Sequence, residues 1–147
     1  MLYLTSDHRG FAIKEQIKNY LKKKDIKFVD LGPFVENPTD DYPLFAVKLG
    51  EAVVANKGRG IALCRSGVGM AIALNKVDGV KAGESYTVEE ARLSRQDDDT
   101  NVLVLSAEEF GDEKGFAIID TWLNTPFSGA ERHIRRLNEI EEYEETH

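Results

Sequence analysis

Apolar residues fall into short runs separated by longer stretches of helical spacing, and this alternation sets the reading of the chain. Leu2 to Ser6 is a compact apolar run and reads as a first, central strand. Asp7-His8-Arg9-Gly10 turns it into a helix over about Phe11 to Lys24, where Phe11, Ile17 and Leu21 recur on one face. Lys22-Lys23-Lys24 suits that helix's C-terminus, where cations meet the negative end of the dipole. Lys27 to Leu31 is a second strand closed by Gly32-Pro33, and a loop rich in turn formers runs from Phe34 to Asp41. Pro43 sits near the first position of a helix reaching about Asn56, a place where its missing N–H is harmless.

The second half repeats the rhythm. Gly58 to Cys64 is a third strand, followed by a helix over Val68 to Asn75, and Val80 to Glu84 is a weaker fourth strand. Capping-box spacing marks three helix starts, at Thr87-Val88-Glu89-Glu90, Ser106-Ala107-Glu108-Glu109 and Ser128-Gly129-Ala130-Glu131. Asn101 to Leu105 is the fifth strand. The helix after it is expected to break near Gly111 or Gly115 before carrying Phe116, Ile119 and Trp122. Five strand–helix alternations with one helix left over predict an α/β Rossmann-like three-layer sandwich: a five-stranded parallel sheet, helices on both faces, and an extra C-terminal helix. No repeat or linker interrupts residues 1–147, so one domain is expected, with the last helix left to pack on a neighbouring subunit.

Composition narrows the class. Hydrophobic residues at 41% and charged residues at 31% are ordinary for a globular chain. A formal net charge of −7 argues against a nucleic-acid partner, whose footprint is a basic patch. The lone Cys64 has no internal disulfide partner, no run is apolar enough for a membrane span, and the opening residues do not form a leader. A cytoplasmic protein is the expectation.

The chemistry gathers where strands end. Cys64 ends a buried strand, where a cysteine is usually a small hydrophobe; a helix starting downstream and the adjacent Arg65 are expected to lower its thiol pKa and make it a base or nucleophile. Ser66-Gly67-Val68-Gly69 is neither a dinucleotide fingerprint nor a phosphate loop, but offers N–H groups to a developing oxyanion. Asp7 and His8 can hold hydroxyls or assist proton transfer, or else be a capping aspartate beside a surface histidine. Arg132 and Arg136 share a helix face with His133 beside them, as a phosphate clamp or as a solvated face.

These blocks together resemble the ribose-5-phosphate isomerase B family, which also contains the galactose-6-phosphate isomerase subunits. The resemblance runs through Ser6-Asp7-His8-Arg9-Gly10, Thr39-Asp40-Asp41-Tyr42-Pro43, Cys64-Arg65-Ser66-Gly67-Val68-Gly69, Asn75-Lys76-Val77-Asp78-Gly79-Val80, Leu93-Ser94-Arg95-Gln96 with Thr100-Asn101-Val102, and Arg132-His133 with Arg136. It implies an aldose–ketose isomerase of the pentose phosphate pathway without metal or cofactor, acting on a sugar phosphate through an enediolate. It also implies a homodimer or dimer of dimers with the site shared between subunits. By position, Cys64 would be the base, with Ser66, Gly67, Val68 and Gly69 around the enediolate oxygens. Asp7 and Tyr42 would meet sugar hydroxyls, and His8, Arg132, His133 and Arg136 the phosphate.

The chain departs from the family pattern where a ring-opening histidine and an asparagine are usual, since Asp97 and Asp98 stand there. Arg65 replaces a commonly small residue, and is expected to face Asp97 or Asp98 and offset their charge. Isomerisation of ribose 5-phosphate is the first reading. The alternatives are another phosphorylated or free sugar, such as galactose 6-phosphate or allose 6-phosphate, and a sugar-phosphate-binding protein without catalysis.

Overall fold

The computed structural model describes all residues from Met1 to His147. Five strands, β1 (Leu2–Ser6), β2 (Phe28–Asp30), β3 (Arg59–Cys64), β4 (Ala82–Glu84) and β5 (Val102–Ser106), form one sheet in the order β2-β1-β3-β5-β4. Every pairing is parallel. Six helices connect and flank them: α1 (Phe11–Lys23), α2 (Tyr42–Ala55), α3 (Val68–Leu74), α4 (Val88–Asp98), α5 (Asp112–Asn124) and α6 (Glu131–Thr146). The expected sandwich, with its surplus C-terminal helix, is the observed architecture.

Alternation along the central strands divides the apolar residues between two cores. Leu2, Leu4, Ile61, Leu63, Leu103 and Leu105 face α1, α4 and α5, where Ile17, Leu21, Ile119 and Trp122 complete one cluster. Tyr3, Ala62, Cys64, Val102 and Val104 face α2 and α3, meeting Leu49, Val53, Met70 and Leu74. A strand buried on both faces is apolar at most positions, which is why these segments read as nearly continuous runs. Arg59 joins the layers at the sheet's amino edge. Its guanidinium lies 4.1 Å from the Trp122 ring centroid and donates to Trp122 O and Leu123 O at 2.7 and 3.0 Å, meeting the negative end of α5.

Two expected helix starts lie elsewhere. Ser106 Oγ does accept from the Glu109 N–H at 3.2 Å, but this closes a turn, and α5 begins beyond Gly111 and runs unbroken through Gly115. Gly115 is tolerated there because the Phe110 ring packs on it; a Cβ would lie 2.4 Å from that ring. Ser128 Oγ accepts from Ala130 N–H, and α6 starts at Glu131. Only the Thr87 cap holds as expected, with Thr87 Oγ1 accepting from Glu90 N–H at 3.1 Å. No helix is long and apolar enough to cross a membrane.

Candidate active site

From β1 the chain moves outward to β2, then returns across the sheet to β3, so connections leave the carboxyl ends of β1 and β3 in opposite directions. Such a switch opens a crevice where ligands bind in open α/β sheets. Cys64 is on its floor, 5% exposed. The turn after it closes at Gly67, whose φ of +86 lies in the left-handed region open to glycine. That turn brings the Gly67 N–H back to Cys64 Sγ at 3.2 Å, while the Val68 N–H donates to Ser66 Oγ at 3.3 Å. Burial pushes the Cys64 thiol up; the N–H groups of Met70, Gly67 and Ser66 pull against it, and Asp7 adds to the rise. The expected lowering by helix and Arg65 is therefore corrected: desolvation under α2 and α3 outweighs the turn, and Arg65 points elsewhere.

β1 delivers the next groups. The Asp7 N–H donates to Leu63 O at 3.3 Å, which sets Asp7 beside Cys64. Its Oδ1 accepts from the Arg9 and Gly10 N–H groups at 2.9 and 3.1 Å, so it caps the turn ahead of α1 rather than the helix itself. Burial lifts the Asp7 carboxyl above its ordinary value against those two N–H groups. Gly10 is required by close approach, since a Cβ there would lie 2.9 Å from Leu63 Cβ. His8 is held twice by one atom: Asp40 Oδ1 accepts its N–H at 2.9 Å and meets its Nδ1 at 2.7 Å. With Nδ1–H so engaged, Nε2 is the atom left for a ligand. Tyr42, at the start of α2, lies on Gly69; a Cβ at Gly69 would fall 2.6 Å from Tyr42 Cζ.

Glu84 also belongs to this cluster and was missed in the sequence, where it reads only as the end of a weak strand. Its Oε2 is buried without a hydrogen-bond partner. It presses on Gly67, where a Cβ would lie 1.5 Å from that oxygen. Tyr86 Oη lies 2.9 Å from Glu84 Oε1 and 3.1 Å from Ser66 O. The available signal was a carboxylate at the carboxyl end of a strand, where the other strands end in small or catalytic-type residues.

The remaining site residues form a second group. Asp97 Oδ1 is 3.4 Å from His133 Nε2, linking α4 to α6, with His133 buried and Asp98, Arg132 and Arg136 exposed. This group lies towards the amino edge of the sheet: the neighbouring Asp99 reaches Lys81 ahead of β4, and Asn101 O accepts from Gly60 N–H at the start of β3. The length of β3, six residues or roughly 20 Å, separates it from Cys64. Within one chain Arg65 pairs with Glu108 at 3.5 Å and meets neither Asp97 nor Asp98; its exposed side chain follows the turn outward toward the loop after β5. One subunit thus gathers Asp7, His8, Tyr42, Cys64 and Ser66 to Gly69, and holds Asp97, Asp98, Arg132, His133 and Arg136 apart from them. No group of three or more His, Cys, Asp or Glu side chains is arranged to hold a metal ion.

A buried thiol in an N–H-lined turn, flanked by hydroxyl-binding groups, suits proton transfer next to a developing oxyanion. Known proteins share this fold and much of this sequence. The chain is 37% identical over 147 residues to ribose-5-phosphate isomerase B of Mycolicibacterium paratuberculosis, covering 99% of this chain and 92% of that one. It superposes on Clostridium thermocellum ribose-5-phosphate isomerase B with a TM-score of 0.94 at 38% identity, over 99% of this chain and 97% of that one. The Mycoplasma genitalium ribose-5-phosphate isomerase B structure with bound ribulose 5-phosphate gives 0.93 at 40% identity, over 98% and 95%. The family model described as Ribose/Galactose Isomerase matches residues 2–140, and the chain belongs to that family.

Proposed function

We propose that this chain interconverts ribose 5-phosphate and ribulose 5-phosphate, as a cytoplasmic enzyme of pentose phosphate metabolism. The observation that carries the reading is Cys64 Sγ held at 3.2 Å by the Gly67 N–H, in the crevice between the carboxyl ends of β1 and β3. As thiolate, Cys64 removes the proton from C2 of the open-chain aldose and returns it to C1. The intermediate enediolate is an anion, so N–H groups fixed around Ser66 to Gly69 stabilise the transition state more than the neutral substrate. Because burial raises the thiol, its ionisation precedes the chemical step, and kcat/KM rises with pH until the thiol is fully ionised.

Asp7 and Tyr42 hold sugar hydroxyls, and His8 offers Nε2 to the phosphate. Arg132 and Arg136 complete the phosphate clamp from a second copy of the chain, whose Asp97 opens the sugar ring with His133 at its side. The separation of the two groups within one subunit supports this sharing. So do the exposed Leu44, Val68 and Ile72 around the crevice, at 75, 53 and 57%.

Turnover of ribose 5-phosphate is the test, in a panel with allose 6-phosphate, galactose 6-phosphate and free sugars. Cys64→Ser should lose at least about a hundredfold in kcat with an unchanged melting temperature. Near-normal turnover by that variant would overturn the assignment of the base. Two carboxylates at 97 and 98, close to where an anionic substrate binds, favour as second reading a sugar other than ribose 5-phosphate; preference for one in the panel would establish it.

A further inference from the structure

The amino edge of the sheet carries a cleft that the isomerase chemistry does not use. It has a volume of about 390 Å³ and is walled by the end of α2, the entry to β3, the turn ahead of β4, and the junction of α4 with β5. None of Asp97, Asp98, Arg132, His133 or Arg136 lines it. Lys57, Arg59, Lys81 and Arg95 do, with Asp99 as the one carboxylate among them. A chain of formal charge −7 thus places four cations around one small cleft. Glu141 and Glu144 line the neighbouring groove beneath α6, where Glu144 Oε2 accepts the Gly79 N–H at 3.0 Å.

Capping explains part of this cluster. α5 ends against the same edge, and Arg59 Nη1 and Nη2 donate to Leu123 O and Trp122 O. Arg95 donates from Nε to Thr125 O at 3.2 Å, and from Nη1 to Asp99 Oδ1 and Thr100 O at 2.9 and 2.6 Å. What remains is a deficit of negative charge. Asp99 is shared between Arg95 and Lys81, and its side chain is 38% exposed, against 12% for Arg95. Arg59 Nε is buried and has no acceptor. Carbonyls carry only partial charge, and a cation taken out of water without a full counter-charge is costly. Arg59 is accordingly pushed down to about 10, by burial first and then by Arg95, against the pull of Asp99. Lys57 stands exposed at the rim.

We propose that this cleft is a second anion site, separate from the crevice, for a phosphate group, either free or carried as a monoester. A bound phosphate brings the negative charge that Asp99 alone does not provide, and acceptors for the free donors of Lys57, Arg59 and Lys81. Val53 and Val54 form an apolar wall beside the cations, suited to the carbon part of a monoester. The cleft opens at the start of β3 and Cys64 ends that strand, so the occupant stays roughly 20 Å from the reacting atoms. The site is therefore independent of which sugar the crevice isomerises.

The test follows backbone amide signals by NMR while inorganic phosphate, and separately glucose 6-phosphate, is added to the wild type. Signals of Gly58, Gly79 and Asn101 should move along a saturation curve distinct from that of Gly67 and Gly69, which reports phosphate at the crevice. The double variant Lys57→Met with Lys81→Met removes two of the charges and spares the guanidiniums that hold α5 and α4. It should weaken binding at the amino edge by at least about tenfold and leave the crevice curve unchanged. Tighter binding of glucose 6-phosphate than of phosphate supports the site and assigns it to a monoester; the reverse order supports it and assigns it to free phosphate. Unmoved signals at Gly58, Gly79 and Asn101 would overturn the proposal. So would movement there that tracks the crevice curve, or that keeps its full affinity in the double variant.

Discussion

Asp97 Oδ1 stands 3.4 Å from His133 Nε2, joining the last turn of α4 to the first turn of α6. The contact sets an imidazole nitrogen beside the carboxylate in a place where the family pattern has a histidine. It also fixes Arg132 and Arg136, which follow on the same helix, relative to Asp97.

If Asp97 opens the sugar ring, its loss should depend on whether the substrate has a ring. Ribulose 5-phosphate has none, because its C5 oxygen is esterified and its carbonyl is at C2. Asp97→Ala should therefore slow conversion of ribose 5-phosphate by about a hundredfold. Exchange of the C1 proton of ribulose 5-phosphate with deuterated water, followed by NMR, should fall only a few-fold. Equal losses in the two assays would assign Asp97 to binding.

A site shared between two copies predicts complementation. Cys64→Ser damages the crevice group and Arg136→Ala the amino-edge group, so each variant alone should be impaired, the second mainly through a higher KM. Refolding the two together places one intact site in every mixed dimer. Random pairing should then restore roughly a quarter of wild-type kcat/KM above the sum of the separate variants. No gain on mixing would place both groups in one subunit's site.

Lys14 is fully buried, and its Nζ donates to Asp30 Oδ1 and Oδ2 at 2.7 and 2.8 Å and to Pro33 O at 2.8 Å. Burial alone would raise Asp30, but the bonds from Lys14, Lys18 and the Gly32 N–H outweigh it and hold the carboxyl below its ordinary value. A folded value below the unfolded one means that the stabilisation is present above the unfolded value and lost as pH falls through the folded one. Asp30→Asn leaves the buried Lys14 ammonium with only the partly exposed Glu15 carboxylate, at 3.6 Å, as counter-charge and should cost about 3–5 kcal/mol in urea unfolding at neutral pH. The gap between wild type and variant should narrow as the solution is acidified below the ordinary carboxylate range. A gap independent of pH would show that the loss comes from packing.

Much of this protein follows from local pattern. The strand into Cys64, the turn of Ser66 and Gly67 and the start of α3 are consecutive residues, so their geometry depends on near neighbours and was legible. The capping at Thr87 was legible for the same reason. The boxes at Ser106 and Ser128 have the same spacing but close turns, because tertiary packing of Phe110 against Gly115 and of α6 against α4 decides where those helices begin.

The sequence by itself determined the layers: apolar runs buried on both faces require a parallel sheet between helices, and residue types at strand ends mark its carboxyl edge. Only the tertiary structure decided what surrounds Cys64. The thiol rises because α2 and α3 desolvate it, an effect that no residue spacing records. Arg65 turns to Glu108 because the loop leads it outward. Glu84 reaches Gly67 because β4 lies beyond β5 in the sheet, so residues distant in the chain meet beneath the turn that carries the thiol.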